Sequence, residues 1–164
     1  MPIDFHTSNI YKILEEVKDP EVPVISIIDL GIVRDIALVE DSLHISITPT
    51  YSGCPAMKEI EEDIKTVLHE KGYDTVEIIT VLSPAWTTDW LSQEGREKLR
   101  AYGIAPPVGT SVDKSALFAE PKKISCPQCG SENTKMISQF GSTSCKALYR
   151  CEDCKEPFDY FKCI

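Results

Sequence analysis

Two Cys-x-x-Cys pairs, Cys126 and Cys129 in "CPQCG" and Cys151 and Cys154 in "CEDC", constrain this chain more than any other feature. Each pair can turn both of its thiols toward one point, and the 21 residues between the pairs suit a β-hairpin that brings them together. Four convergent thiolates match a single tetrahedral Zn²⁺ in a closed, structural site. Residues 125–164 are too few to fold by apolar burial alone, so metal binding, on the order of 10 kcal/mol in comparable peptides, becomes folding free energy. This segment is therefore expected to be a zinc ribbon. An iron–sulfur cluster on the same four thiolates is the competing reading, because four-cysteine sets serve both.

Gly130 follows the first pair, where a positive φ turns backbone N–H groups back toward sulfur. Lys155 takes that place after the second pair, so the second turn is expected to be less regular. Cys145 and Cys163 are left over. Either could substitute for a ligand, and filling the small core is the commoner fate of an extra cysteine such as Cys145.

Reading clustered cysteines as metal ligands presumes a reducing compartment. The opening residues, "MPIDFHTSNI", lack the basic and then apolar pattern of a secretory signal, and no apolar run is long enough to span a bilayer. A cytoplasmic location, away from membranes, is the expectation. Charge is unevenly spread: residues 1–102 hold 9 Lys or Arg and 19 Asp or Glu, net −10, against 8 and 7, net +1, for residues 103–164. So acidic a first part disfavours nucleic acid as a partner, since that affinity rests on neutralising phosphates.

Residues 6–17 place Ile10, Ile13, Leu14 and Val17 on one helical face, with Thr7 or Ser8 as the cap. The helix is stopped by "KDPEVPV", where Pro20 and Pro23 forbid its continuation. Strands are expected at 32–40 and 43–49 around a turn at Asp41 and Ser42, then a helix over 55–71 with Met57, Ile60, Ile64, Val67 and Leu68 inward. A third strand at 74–82 and a helical stretch at 87–102 follow, with Trp86 and Trp90 packed near its start. This order predicts a domain over residues 1–102 with a mixed sheet. Residues 103–124, with three prolines and two glycines, read as a linker.

Within this first domain "TYSGCP", residues 50–55, places Cys54 directly before the proline expected to open a helix. Cys54 then sits at the N-cap, where unpaired N–H groups and the helix dipole favour an anion, and Gly53 leaves room for approach. The thiol is a candidate reactive thiolate or soft-metal ligand, against the plainer reading of a small residue packed under the helix end. His6, His44 and His69 are isolated in sequence, and no Ser-His-Asp set, phosphate-binding glycine loop or His-carboxylate iron motif appears. A self-contained enzyme is not expected.

"DPEVPVISIIDLGIV" at 19–33 and "TPTYSGCPAM" at 48–57 together resemble the small domain of cytosolic iron–sulfur cluster assembly factors. The resemblance implies that Cys54 is the functional thiol, holding iron or a cluster transiently, with Asp19, Glu21 and Asp29 as supporting residues. Across its length the chain resembles the PaaD family of the bacterial phenylacetyl-CoA epoxidase system, through "SPAWTTDW", "CPQCGS", "FGSTSCKALYRC" and "EPFDYFKC". That resemblance implies an α+β fold: a small mixed-sheet cluster-assembly-like domain followed by a β zinc ribbon. It also implies a non-catalytic accessory subunit in aerobic phenylacetate degradation, alongside a di-iron oxygenase and an iron–sulfur flavin reductase. A cluster held by one cysteine per chain would need further ligands, for which a homodimer is one source.

Overall fold

The turn between the first two strands sets the register of the first sheet. Glu40 and Asp41 both adopt positive φ (46° and 65°), the combination that matches a two-residue turn to the twist of its flanking strands. The turn lies one residue earlier than the sequence suggested. It joins β1 (Val33–Val39) to β2 (Ser42–Ile47) in an antiparallel pair closed by Val39 opposite Ser42. The computed structural model describes residues 6–108 and 123–162.

Among the described residues β2 also pairs in parallel with β3 (Val76–Thr80), so the sheet is mixed, in the order β1-β2-β3. Its connection runs through α3 (Ala56–Glu70), which buries Ile60, Ile64 and Leu68 at helical spacing. With Ile10 and Leu14 of α1 (Thr7–Leu14), Ile25, Ile27, Leu30 and Ile32 of the segment that follows, and Leu43, Ile45 and Ile47 of β2, these are fully buried aliphatic side chains of the unit. Each is worth roughly 1.5–3 kcal/mol against exposure.

Three local expectations change. No side chain caps α1: the His6 carbonyl accepts from Asn9 N–H (2.8 Å), Thr7 is already helical, and the helix ends before Val17. A short helix, α2 (Ile27–Leu30), appears where none was expected, held by a reciprocal capping box. The Ser26 hydroxyl accepts from Asp29 N–H (3.0 Å) and the Asp29 carboxylate from Ser26 N–H (3.1 Å). Finally, Trp86 and Trp90 share no helix. Trp86 lies outside any helix, 4% exposed, donating its indole N–H to the Leu30 carbonyl at the end of α2 (2.7 Å). Trp90 closes a 3₁₀ turn, Thr88–Trp90.

The chain divides into two units, one ending at Trp86 and the other beginning at Thr87. The boundary expected at 102/103 is therefore misplaced, and residues 104–105 are not linker. Helix α4 (Gln93–Tyr102) leads into β4 (Ile104–Ala105), which pairs in parallel with β7 (Pro157–Phe161). Arg96 reinforces this joint, donating to the carbonyls of Thr88 (2.8 Å) and Pro107 (2.9 Å). Two extended residues before Pro106 suffice for a strand that short, whereas the prolines had argued for irregular chain. The rest of the expected linker lies mostly outside the described residues.

Antiparallel pairing of β5 (Thr134–Ser138), β6 (Lys146–Cys151) and β7 completes a second sheet, in the order β4-β7-β6-β5. Its core is small: Ala105, Ile124, Ala147, Tyr149 and Phe158 with Cys126 and Cys151. Tyr149 is its centre, stacked on Phe158 (5.9 Å between rings) and edge-on to Tyr160 (5.7 Å). Among the described residues no helix is long and apolar enough to cross a membrane.

Candidate metal centre and the Cys54 loop

The two cysteine turns of the second unit are built alike. Cys126 N–H donates to the Ser131 carbonyl (2.8 Å), and Cys151 N–H to that of Glu156 (3.0 Å), five residues on in both. The residue after each pair is left-handed: Gly130 at φ 75° and Lys155 at φ 66°. The second turn is thus as regular as the first, contrary to expectation, and Lys155 bears a strain that Gly130 avoids. Lys155→Gly is expected to stabilise the ribbon by about 0.5–1 kcal/mol, the relief of strain exceeding the chain entropy that glycine adds. The ion pair lost with it, Lys155 to Glu152 at 3.8 Å, is exposed on the lysine side and contributes little. Thermal melting of the metal-loaded chain measures the change, and a lower midpoint would refute it.

These turns bring Cys126 within 3.7 Å of Cys154 and Cys129 within 3.6 Å of Cys151, sulfur to sulfur, and all four sulfurs lie within 4.8 Å of one another. A tetrahedral Zn²⁺ with Zn–S bonds of about 2.3 Å requires sulfurs roughly 3.8 Å apart, so the four thiols fit one such ion. An iron–sulfur cluster spreads its thiolates over several irons and fits this spacing less well. The backbone N–H of Cys154 points at the Cys151 sulfur (3.5 Å) and, ahead of other influences, holds that thiol down to about 7. Cys154 has its own amide contact, at Glu156, but burial and the three neighbouring sulfurs outweigh it and push the thiol up to about 12. Four sulfurs this close cannot all ionise without a cation between them.

Cys145 stands apart from this set. It is buried, its sulfur 3.0 Å from the Thr143 hydroxyl. Cys163 lies outside the described residues.

In the first unit, Thr48 N–H donates to the Ile32 carbonyl (2.8 Å) and leads into the "TYSGCP" loop. Thr48 itself is buried, and its hydroxyl has no hydrogen-bond partner among the described residues. Cys54 N–H donates to the Tyr51 carbonyl (3.3 Å), and the Cys54 carbonyl accepts from Met57 N–H (3.2 Å), so Cys54 immediately precedes the first turn of α3. Pro55, with helical dihedrals (φ −66°, ψ −24°), is itself the N-cap and α3 begins at Ala56, so Cys54 lies one residue ahead of the N-cap position expected of it. Gly53 is left-handed (φ 78°), with open space where a Cβ would stand, and Cys54 is half-buried beside it.

The acidic residues singled out with Cys54 have backbone partners. Asp19 accepts from the N–H groups of Glu21 (2.7 Å) and Val22 (3.0 Å), closing the turn that Pro20 opens, and Asp29 belongs to the capping box. Among the described residues the four ribbon cysteines form the one ligand cluster for an ion, so Cys54, Asp19, Glu21 and Asp29 are not gathered into another. Reading Ser26-x-x-Asp29 as a capping signature would have revealed the role of Asp29 from sequence.

Comparison with known proteins follows the same division. The chain is 48% identical, over 94% of its own length and 92% of the relative's, to an Escherichia coli protein named as a 1,2-phenylacetyl-CoA epoxidase subunit. The chain belongs to the PaaD family. Residues 110–162 match the PaaD zinc beta ribbon domain, and residues 7–80 match the iron–sulfur cluster assembly protein family. The PaaD chain is also 41% identical, over 52% of its length and 84% of the relative's, to the Fe–S protein maturation auxiliary factor YitW of Bacillus subtilis. Among solved structures it resembles a domain of unknown function, DUF59, from Bacillus anthracis, with TM-score 0.52 and 32% identity over 56% of this chain and 89% of that one. The fold is the α+β arrangement expected: a small mixed sheet with helices, then a zinc-ribbon region.

Proposed function

We propose that this PaaD chain is an accessory subunit of a bacterial phenylacetyl-CoA 1,2-epoxidase system in aerobic phenylacetate degradation, and that it assists maturation of an iron or iron–sulfur centre there. Cys54 is the cargo-binding thiol, and Cys126, Cys129, Cys151 and Cys154 hold a structural Zn²⁺. The proposal extends to this chain what the names of its relatives say of them. Its partners are then the other epoxidase subunits, the di-iron oxygenase and the iron–sulfur flavin reductase among them, in the cytoplasm.

One observation carries the maturation role: Cys54 is half-buried at the head of α3, outside any ligand cluster among the described residues. One thiolate binds iron weakly unless a second chain or a client supplies further ligands, which suits cargo handed on rather than a resident cofactor. Asp19 and Asp29 support the site by fixing backbone through their amide hydrogen bonds, with Glu21 beside them.

The second reading is a structural subunit with no metal transfer, favoured by the closed geometry of the four-thiolate centre. Iron, zinc and acid-labile sulfide per chain after anaerobic purification separate the two. About one zinc per chain is expected in both the native protein and Cys54→Ala, with iron or sulfide in the native protein alone. Zinc in both with neither iron nor sulfide in either leaves the structural reading.

A further inference from the structure

The two cysteine turns are joined by contacts that involve no ligand sulfur. Ser131 and Asn133 follow the first turn, and Asp153 lies inside the second. The Ser131 hydroxyl donates to one carboxylate oxygen of Asp153, and the Asn133 side-chain amide donates to the other (2.9 Å). Asn133 N–H donates to the Ser131 hydroxyl (3.1 Å), and the Asn133 carbonyl accepts from Glu152 N–H (2.8 Å). Each half of the cage is thereby tied to the other through side chains and backbone alike.

We propose that Asp153 is a positioning residue that clasps the two halves of the cage and slows escape of the ribbon metal, making that ion resident rather than cargo. The inference rests on the reading that one ion sits among the four thiolates. For a tetrahedral ion to leave, one pair of sulfurs must swing away from the other, which requires breaking the bonds between Asp153 and the Ser131–Asn133 segment. Hydrogen-bonded partners outside the ligand set typically alter metal affinity 10- to 100-fold.

Charge acts in the opposite direction. Four thiolates outweigh a divalent ion, so a neighbouring carboxylate repels the centre, and neutralising it would tighten binding if electrostatics governed. Asparagine at 153 removes the charge and also leaves one of the two donors without an acceptor. The clasp therefore predicts faster release in both Asp153→Asn and Asp153→Ala, whereas charge alone predicts slower release.

The test uses the full zinc-loaded chain, mixed with excess 4-(2-pyridylazo)resorcinol well below the melting temperature. Zinc transfer is expected to be about 10- to 100-fold faster in Asp153→Ala and Asp153→Asn, and faster to a smaller degree in Asn133→Ala. The Asp153→Ala, Asn133→Ala double variant should be scarcely faster than Asp153→Ala, because both act on one clasp. Cobalt-loaded variants should keep the native four-thiolate spectrum, showing the same ligands with faster exchange, an outcome a general loss of folding would not give.

Release by Asp153→Asn at the native rate or slower overturns the proposal. Should Asp153→Ala purify without metal, Ser131→Ala and Asn133→Ala each remove one bond, and native rates in both overturn it equally. Full zinc retention by the Cys126→Ala, Cys145→Ala double variant would instead refute the four-thiolate reading on which the clasp rests.

Discussion

Replacing Cys151 by alanine is expected to strip the ribbon of metal and unfold it, while the first unit stays folded. Cys151 is fully buried and serves twice, as one of the four closely spaced sulfurs and as a member of the small ribbon core. Without it three thiolates remain, and a closed tetrahedral site loses both a bond and its shape. The energy at stake is on the order of 10 kcal/mol, the scale of metal-coupled folding in small zinc domains and comparable to the whole stability of an ordinary domain. The residual apolar core, chiefly Tyr149 with Phe158 and Tyr160, is too small to compensate. Zinc per chain should fall from about one toward zero, with loss of the tyrosine near-ultraviolet circular dichroism that the ring packing produces. Retention of the metal with an unchanged melting profile would mean that another thiol, such as Cys145, substitutes as ligand. A follow-up Cys151→Ala, Cys145→Ala double variant would then lose the ion.

The second large effect belongs to the first unit. Trp86→Ala is expected to destabilise it by about 3–5 kcal/mol, the usual cost of removing a buried aromatic side chain. The indole is almost fully buried, and its N–H satisfies the Leu30 carbonyl, one of the carbonyl groups a helix end leaves unpaired. Trp86→Phe keeps most of the buried ring but abandons that carbonyl, at a cost of roughly 1–3 kcal/mol. The order native, Phe, Ala should therefore appear in urea unfolding followed by far-ultraviolet circular dichroism. At several degrees per kcal/mol for a unit this size, the thermal midpoint for Trp86→Ala should drop by about 15–30 °C. Zinc content should not change, because the ribbon ligands lie in the other unit. A cost below about 1 kcal/mol would instead mark Trp86 as a surface residue, available for docking another protein.

Much of the first unit was legible because its signals are local and periodic. Ile60, Ile64 and Leu68 repeat at helical spacing, and Leu43, Ile45 and Ile47 alternate as strand residues must. Misreadings fall where one weak local signal met a tertiary contact. Helix α2 has four residues and no periodicity to show, so its capping box is its sequence signature. Residues 104–105 read as linker because a two-residue strand has no pattern of its own, and only β7 beside it makes it one.

The same distinction separates the two thiol sites. Sequence alone determined that four cysteines in two turns would face one point, because ligand spacing within a turn is a matter of covalent reach and the hairpin length between turns follows from it. It also determined that a helix would start within a residue of Pro55, since a proline's fixed φ suits a helix entrance, although the helix begins at Ala56 and leaves Cys54 one residue outside the N-cap. Only the tertiary structure decided that Lys155 would adopt the left-handed conformation of Gly130, because the strain is outweighed by closing the second half of the cage. It decided likewise that Asp153 would meet Ser131 and Asn133, and Trp86 the Leu30 carbonyl, residues far apart in the chain that carry no mark of one another. Such pairings arise from the packing of whole elements, and a hydrogen bond between distant side chains forms only where that packing has already brought donor and acceptor together.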